Sequence, residues 1–340
     1  MTERERHGAG GVQRLQFLRD GVAPVTYSPR YTPNFAALGI KHPSQVRAPT
    51  RIHAAFIAAM RAAGVSDFAT LEPEPLRDDE IALVHAPGVI DDLASADAIA
   101  RVLSIPAFRA MSVAALQQHI VSAQRSCGGG TRLGVRLALE RGWAINLKGG
   151  LHHAKHEKGE GFCFFSDVAI AHGLINRSQR LRDTLIIDLD AHQGNGAALM
   201  LGDRADVRLM DVFNRDIYPR DETAARRVKY CYPLSAGTGD DEYLRCVTHG
   251  LLRAFAAGRP DLVIYIAGTD IVAGDPLGKL AVSVGGLYER DRLVWGACVT
   301  NGVPILMCLA GGYSPRAGEI AGQAAAACVL RHTDAHDDRK

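Results

Sequence analysis

Residues 184–196 read TLIIDLDAHQGNG, an apolar and partly β-branched run that ends in polar residues and glycines. Such a run is typical of a buried strand followed by a tight turn. Asp188 and Asp190 are two positions apart, so both carboxylates lie on one face at the end of the strand. His192 follows where the chain turns. The stretch therefore predicts a core strand that delivers acidic and imidazole side chains at its carboxyl end.

The same arrangement recurs along the chain, where short apolar runs lead through Gly, Asp or His into helical stretches. The strands are predicted at Trp143–Leu147, Thr184–Asp190, Arg208–Phe213, Leu262–Ala267 and Val303–Leu309, with weaker candidates at Val22–Tyr27 and Ile81–His85. Helices are predicted over Thr131–Arg141, Ser166–Asn176, Asp241–Ala257, Leu287–Asn301 and Ala317–Arg331. Because the strands are apolar on both faces and alternate with helices, we expect an α/β fold. It is a single-domain, doubly wound parallel β-sheet with helices on both faces.

In such sheets ligands bind beyond the carboxyl ends of the strands. Four predicted strands are followed there by metal-capable or proton-active residues. The segments concerned are GGLHH (149–153), DAHQGNG (190–196), AGTD (267–270) and GGY (311–313). We therefore expect these four segments to meet at one edge of the sheet.

Asp190 and His192 offer a carboxylate and an imidazole to a divalent cation, and Asp270 is our choice for the third ligand. Three protein ligands leave an open position for water, which is the pattern of a catalytic zinc site. Asp188 is better placed as an acceptor for a histidine ring N–H. The plainer alternative is that such residues only cap helices and turns. That explanation is ordinary for any one of them, but it does not account for all of them together.

Acid–base chemistry is predicted for the adjacent histidines His152 and His153, which lie between glycine-rich stretches. Splitting an amide requires one group to accept a proton from water and another to donate one to the departing amine. Two imidazoles with different partners can hold different charge states. Tyr313 follows two glycines and a strand end, so its hydroxyl is a candidate donor to an oxyanion, although tyrosines often only close the edge of a core.

The bulk composition is that of a large globular protein. The 340 residues are 47% hydrophobic and 22% charged, with a formal net charge of +2 and seven scattered cysteines. No basic stripe indicates nucleic-acid binding, no apolar run is long enough for a membrane span, and the polar N-terminus lacks a secretion signal. We expect a reduced, cytoplasmic protein, or a nuclear one in a eukaryote. The expected division is a flexible tail (1–20), a catalytic domain (21–332) and a second tail (333–340).

These segments together resemble the zinc-dependent histone deacetylase family, within the arginase/deacetylase fold, and are most similar to its class IV. The resemblance runs from about residue 22 to about residue 330. It is carried by VTYSPRY (25–31), ERGWAIN (140–146), GGLHH (149–153), GFC (161–163), IIDLDAHQGNG (186–196), MDVFNRDIYP (210–219), DDEYL (240–244), AGTDIVAGDPLG (267–278), RDRLV (290–294), VPILM (303–307) and GGY (311–313).

The resemblance implies roles for individual residues. Asp190, His192 and Asp270 match the ligands of one zinc ion per chain. His153 matches the general base and acid, His152 its electrostatic neighbour beside Asp188, and Tyr313 the residue that polarises the acyl carbonyl. The remaining positions match the substrate channel, and they are Gly161, Phe162, Tyr218, Gly311 and Gly312.

Departures from the class I pattern also carry expectations. Asn195 stands where class I enzymes have an aspartate behind the general base, and Gln193 replaces a histidine. The family often binds a structural potassium ion beside the first aspartate, and Asp211 lies near that position.

The expected activity is metal-assisted hydrolysis of an N-ε-acyl-lysine, by a deacetylase or a fatty-acyl deacylase. The alternatives are an amidohydrolase for an acetylpolyamine or another small acylated amine, and a catalytically silent zinc-binding module. An arginase-like hydrolase would need a second metal, whereas Gln193 and Asn195 occupy places where its ligands are wanted. The acyl length, the protein substrate and the oligomeric state cannot be predicted from the sequence.

Overall fold

A computed structural model describes residues 21–41, 49–179 and 181–337. The described residues form one parallel sheet of eight strands in the order β2-β1-β3-β8-β7-β4-β5-β6. The strands are β1 Val22–Thr26, β2 Ala69–Leu71, β3 Trp143–Asn146, β4 Thr184–Asp188, β5 Val207–Asn214, β6 Tyr230–Leu234, β7 Leu262–Ile266 and β8 Ile305–Cys308. The predicted doubly wound α/β sheet is confirmed.

Helices connect the strands. They are α1 Pro49–Ala62, α2 Asp78–Ile81, α3 Pro87–Leu93, α4 Ala96–Leu103, α5 Val113–Leu116, α6 Ser122–Arg141, α7 Asp167–Gln179, α8 Asn195–Leu201, α9 Glu222–Arg227, α10 Asp240–Ala256, α11 Val284–Asn301 and α12 Ala317–Asp337. A π-helical turn, Gln117–Val121, joins α5 to α6, and 3-10 turns lie at Pro29–Tyr31, Ala36–Leu38 and Pro106–Ala110. Among the described residues, no helix combines the length and the apolar character that a membrane span requires.

The sheet is covered on both faces, as its apolar strands predict. Every residue of β4 is buried. Leu185 and Ile187 pack into one hydrophobic cluster, whereas Ile186, between them, packs into another. Successive side chains of a strand point to opposite faces, so one short strand contributes to two cores.

Both strands that the sequence analysis missed lie at the edges of the sheet. β2 has three residues, and β6 contains Pro233. Proline cannot donate to a strand ladder and is confined largely to edges, so its presence in YCYPL argued against a strand. The short length and partial exposure of both strands left little periodicity to detect.

Helix α6 begins at Ser122, nine residues before the predicted start at Thr131. The added stretch contains Gly128, Gly129 and Gly130, which lower helix propensity. Here the glycines permit close packing, because a Cβ at Gly129 would lie 2.0 Å from the carbonyl oxygen of Glu74. The last helix likewise continues to Asp337, past the expected domain end at residue 332. The predicted tail 1–20 lies outside the described residues.

The predicted strand Ile81–His85 was wrong. This segment is the end of α2 followed by a turn, with the His85 amide donating to the Ile81 carbonyl at 3.1 Å. A short apolar run has no periodicity that separates strand from helix. Glu80 favours the helix over a strand here, because its side chain accepts a hydrogen bond from the Arg77 amide at 2.9 Å at the start of the helix.

His85 lies in this turn, and its ring forms two hydrogen bonds with the segment that follows the histidine pair. Its Nδ1–H donates to the Lys155 carbonyl at 3.0 Å, and its Nε2 accepts from the Ser166 amide at 2.9 Å. The second contact requires a neutral ring, because a protonated Nε2 cannot accept a hydrogen bond. Burial lowers the pKa of His85 to about 4.

The free energy of unfolding is therefore expected to fall as the pH drops from 6.5 to 4. In that window the unfolded chain binds a proton at His85 that the folded chain does not, so stability rises with pH. The full difference, reached below pH 4, is about 3 kcal/mol. Urea titrations of wild type and His85→Gln across this pH range measure the difference. The free energy of unfolding should change more steeply with pH for the wild type than for His85→Gln. His249→Gln, at an exposed histidine of α10, serves as the control. Equal slopes for wild type and His85→Gln would contradict the prediction.

Candidate metal and catalytic site

Three potential metal ligands meet at the carboxyl ends of the neighbouring strands β4 and β7. Asp190 and His192 follow β4, and Asp270 follows β7. All three are buried, and their ligand atoms lie within 4.8 Å of one another. Nδ1 of His192 is 3.1 Å from Oδ1 of Asp190 and 3.0 Å from Oδ2 of Asp270. The structure thus brings together the residues that the sequence analysis chose as ligands.

Backbone amides hold the two carboxylates. Asp190 accepts from the His192 amide at 3.0 Å and from the Gly311 amide at 2.7 Å, and Asp270 accepts from the Ala191 amide at 2.9 Å. A Cβ at Gly311 would lie 2.4 Å from Oδ2 of Asp190 and 2.3 Å from Oδ2 of Asp270. The GG before Tyr313 therefore lets the backbone approach both carboxylates closely. Two carboxylates and one imidazole in this geometry form a donor set suited to a divalent metal ion.

The two histidines lie beside this group with different partners. Nδ1 of His152 is 2.7 Å from Oδ2 of Asp188, and Nδ1 of His153 is 2.8 Å from Oδ1 of Asn195. Burial acts to lower the pKa of His152, but the carboxylates of Asp188 and Asp190 outweigh it and raise the pKa to about 9. Burial and the positive charge of His152 hold the pKa of His153 well below its ordinary value. His152 therefore holds a proton much more tightly than His153 does.

Tyr313 lines the same cavity as the histidine pair. Its ring centroid is 6.0 Å from that of His192 and 6.4 Å from that of Phe162. The amides of Tyr313 and Ser314 both donate to Oδ2 of Asp275, at 2.7 and 3.0 Å. Asp275 thus orients the segment that carries the tyrosine.

The predicted channel residues surround His153. Gly161 has a φ of 57°, and a Cβ there would lie 2.5 Å from the His153 ring. Phe162 follows with a φ of 66°, and the Tyr218 ring packs edge-on against His153 at 5.0 Å. Gly312 lines the inner side of the site with Gly311. These positions leave room at His153 only because residue 161 has no side chain.

Two spaces meet at the channel. An outer cleft of about 590 Å³ and an inner cavity of about 110 Å³ share His153, Gly161, Phe162 and Tyr313 as lining residues. The outer cleft carries charged side chains, whereas the inner cavity has many apolar ones. Apolar residues of the inner cavity include Phe35, Leu103, Ile120 and Leu151. The shared residues form the junction between the two spaces.

The sequence analysis missed Glu160 and Asp275. Glu160 accepts hydrogen bonds from Asn195 and Tyr218, both at 3.0 Å, and its carboxylate lies 3.1 Å from Nζ of Lys155. It lies in the loop KGEGF, where no spacing or period marks it. Asp275 did carry a signal, because it belongs to the AGDPLG stretch that was quoted for the resemblance without a role.

Residues 45–329 match the model of the histone deacetylase domain. The chain belongs to the histone deacetylase family. It is 39% identical to histone deacetylase 2 of Arabidopsis thaliana over 245 residues, which cover 72% of this chain and 63% of the relative. It is 29% identical to histone deacetylase 1 of Oryza sativa subsp. japonica over 260 residues, which cover 72% of this chain and 49% of that protein. The chain thus spans about half to two thirds of these relatives' lengths.

The fold of this histone deacetylase family member also matches a solved structure. The crystal structure of the HDA15 HD domain superposes with a TM-score of 0.71 at 23% sequence identity, covering 92% of this chain and 88% of that one. Similarity at this level of identity supports the deacetylase fold. The single parallel sheet with helices on both sides agrees with it.

Proposed function

We propose that this histone deacetylase family member is a zinc-dependent amidohydrolase that removes acyl groups from lysine side chains, as a class IV enzyme. The observation that carries the proposal is one junction at which three groups meet. They are the ligand set of Asp190, His192 and Asp270, the histidine pair, and Tyr313. Two carboxylates and an imidazole with an open position fit a catalytic zinc ion rather than a structural one.

The chemistry follows from the charge states of the side chains. A zinc ion in this site would supply Lewis acidity. It would lower the pKa of water, so that water could lose a proton and act as a nucleophile near neutral pH. His153 is neutral and accepts the proton of the attacking water, then returns it to the departing lysine amine. The Tyr313 hydroxyl donates to the developing oxyanion. His152, protonated beside Asp188, stabilises negative charge next to the reacting carbonyl.

The two spaces fit the two parts of an acyl-lysine. In this proposal the lysine stem enters through the outer cleft, which Phe162 and Tyr218 both line, and the acyl group points toward the inner cavity. Aromatic lining residues suit an apolar stem. The carbonyl then lies at the junction that His153 and Tyr313 share.

A small acylated polyamine is less well supported as the substrate. Arg101, Lys158 and Lys279 line the outer cleft and would repel a polycation. The carboxylate of Glu160 in the same cleft is already paired with Lys155 and with Lys158, at 3.1 and 3.4 Å. A catalytically silent module is also less well supported, because His153 and Tyr313 are both present and both face the ligand set.

A structural potassium ion is part of the proposal. Asp188 and Asp211 are register partners on β4 and β5 and both are buried. Burial and the charge of Asp188 raise the pKa of Asp211 well above its usual range. Oδ1 of Asp211 has no hydrogen-bond partner among the described residues. A monovalent cation beside these oxygens would satisfy that atom and offset the repulsion.

The test is a panel of lysine peptides bearing acetyl, hexanoyl or myristoyl groups, together with acetylated polyamines, each assayed with zinc and with a chelator. We expect hydrolysis of acyl-lysine that the chelator abolishes. The rates along the series define the acyl preference. Faster turnover of the polyamines would favour the alternative substrate, and no hydrolysis of any amide by zinc-loaded protein would refute the proposed activity.

Glu160→Ala is expected to lower kcat/KM by about tenfold. The side chain holds Asn195 against His153 and holds Tyr218 in the channel wall. A charge-assisted hydrogen bond is worth about 1.5–3 kcal/mol, and 1.4 kcal/mol corresponds to tenfold. Glu160→Gln, which keeps the acceptor and loses the charge, should lie between Ala and wild type. Glu157→Ala, at an exposed position in the same loop, is the control. Wild-type kinetics for Glu160→Ala would show that the contacts are dispensable.

A further inference from the structure

Arg290 is a charged residue in the protein interior. It lies in α11 and is 1% exposed. Its Nη1 donates to two backbone carbonyls, that of Leu189 at 3.2 Å and that of Gly268 at 2.6 Å. Leu189 directly precedes Asp190, and Gly268 lies two residues before Asp270. The guanidinium therefore bonds both of the chain segments that carry the carboxylate ligands.

The charge of Arg290 is balanced locally. Its Nε and Nη2 lie 2.9 and 2.8 Å from Oδ1 of Asp291, and the Tyr265 hydroxyl donates to the same oxygen at 2.5 Å. The guanidinium also lies 5.7 Å from the centroid of the Tyr265 ring. A buried ion pair is rarely more stable than well-packed apolar residues of the same volume. The pair therefore needs an explanation other than stability, and its hydrogen-bond geometry provides one.

The sheet ladder ends just before the ligands. The last register pair of β4 and β7 is Asp188 with Ile266, and the Leu189 amide makes the next bond to the Ile266 carbonyl at 3.0 Å. Past this point the two segments leave the ladder and continue to their ligands. Arg290 joins them there, and the Tyr243 hydroxyl adds a second donor to the Leu189 carbonyl at 3.3 Å.

We propose that Arg290 is a positioning residue that sets the separation of the carboxylates of Asp190 and Asp270 by clamping the carbonyls of Leu189 and Gly268. A planar guanidinium has donors in a fixed fork, whereas a lysine ammonium is a single point charge. The clamped backbone at Gly268 packs closely against both ligands, because a Cβ at Gly268 would lie 2.4 Å from Oδ2 of Asp190 and 2.7 Å from Oδ1 of Asp270. A small shift of this segment therefore displaces both carboxylates.

The test is the zinc affinity of Arg290→Lys, and the inference rests on the metal site of the proposed function. Lysine keeps the positive charge, but its single nitrogen cannot occupy both the position of Nη1 beside the two carbonyls and that of Nη2 beside Asp291. Zinc Kd is measured on the full chain by competition with a chromophoric chelator, and the melting temperature is measured on the metal-free protein. We expect the Kd to weaken by at least about tenfold, as is typical when the support of a metal ligand is lost.

Arg208→Lys is the matched control. Arg208 is also buried, its Nη2 lies 2.5 Å from Oδ2 of Asp183, and it donates to the carbonyls of Ala254 and Gly258. It lies at the amino end of β5, whereas the ligands follow the carboxyl ends of β4 and β7. We expect Arg208→Lys to lower the melting temperature of the metal-free protein but to leave the zinc Kd within about twofold of wild type, as for independent sites.

An unchanged zinc Kd in Arg290→Lys, with a lowered melting temperature in both variants, would overturn the inference and leave Arg290 with a purely structural role. If Arg290→Lys does not fold, Tyr243→Phe decides, because it removes one donor to Leu189 and keeps the ring. A Kd weakened by about threefold or more supports the clamp, and an unchanged Kd refutes it. If the wild type binds no zinc, the metal site of the proposed function fails as well, so the two failures are distinguishable.

Discussion

Replacing His153 by alanine is expected to lower kcat on an acyl-lysine peptide by about a thousandfold, which is within the range of a lost general base. His153 is the neutral member of the histidine pair, with a pKa well below its ordinary value because it is buried beside the cationic His152. It is not one of the three candidate ligands. Zinc content should therefore remain near one ion per chain. Single-turnover assays with parallel metal analysis measure both quantities.

Two further variants accompany His153→Ala, one as a second test of the mechanism and one as a control. Tyr313→Phe should lower kcat by about a hundredfold or more, because it removes one donor to the oxyanion and keeps the ring that packs against Phe162. His249→Ala, at an exposed histidine of α10, should keep wild-type kcat. Full activity in His153→Ala would remove the general-base role, and full activity in Tyr313→Phe would remove the oxyanion role.

Asp190→Ala is expected to abolish stoichiometric zinc binding, with a Kd weakened by more than about a hundredfold, the upper end of what the loss of a supporting residue costs. Asp190 lies 3.1 Å from Nδ1 of His192 and accepts amide bonds from His192 and Gly311. The variant loses a ligand atom and also the contact that orders the segment before Tyr313. Equilibrium dialysis against zinc and kcat on an acyl-lysine peptide should fall together.

The metal-free Asp190→Ala protein provides a second readout. Bound zinc stabilises the folded protein by mass action, so zinc should raise the melting temperature of the wild type. It should leave the melting temperature of Asp190→Ala at its metal-free value. Asp241→Ala, at an exposed position in the first turn of α10, should change neither zinc binding nor kcat. If the Asp190→Ala protein still bound one zinc ion per chain, Asp190 would not be a zinc ligand.

The order of elements and the location of the site could be predicted because both follow from local patterns. Strands buried on two faces are mainly apolar, as β7 is along its whole length and β4 is from Leu185 to Ile187. Polar residues at their carboxyl ends then stand out against that background, and parallel strands bring those ends to one edge. Asp190, His192 and Asp270 were recognisable for this reason.

Errors arose where the tertiary structure outweighed the local preference. The glycines of α6 discourage a helix locally, yet the packing of Gly129 against the Glu74 carbonyl requires them. The run Ile81–His85 has the composition of a strand, but Glu80 caps a helical turn and His85 bonds two distant backbone groups. Both cases depend on partners that no window of sequence contains.

By itself, the sequence determined the parallel α/β sheet, the strands at its centre and the residues that end them, because burial and backbone geometry act over a few neighbouring positions. Only the tertiary structure decided what holds those residues in place. Glu160 reaches Asn195 across 35 positions, and Arg290 reaches Leu189 across 101. A hydrogen bond between buried groups that far apart leaves no period or spacing in the chain, since it depends on where two whole elements come to lie.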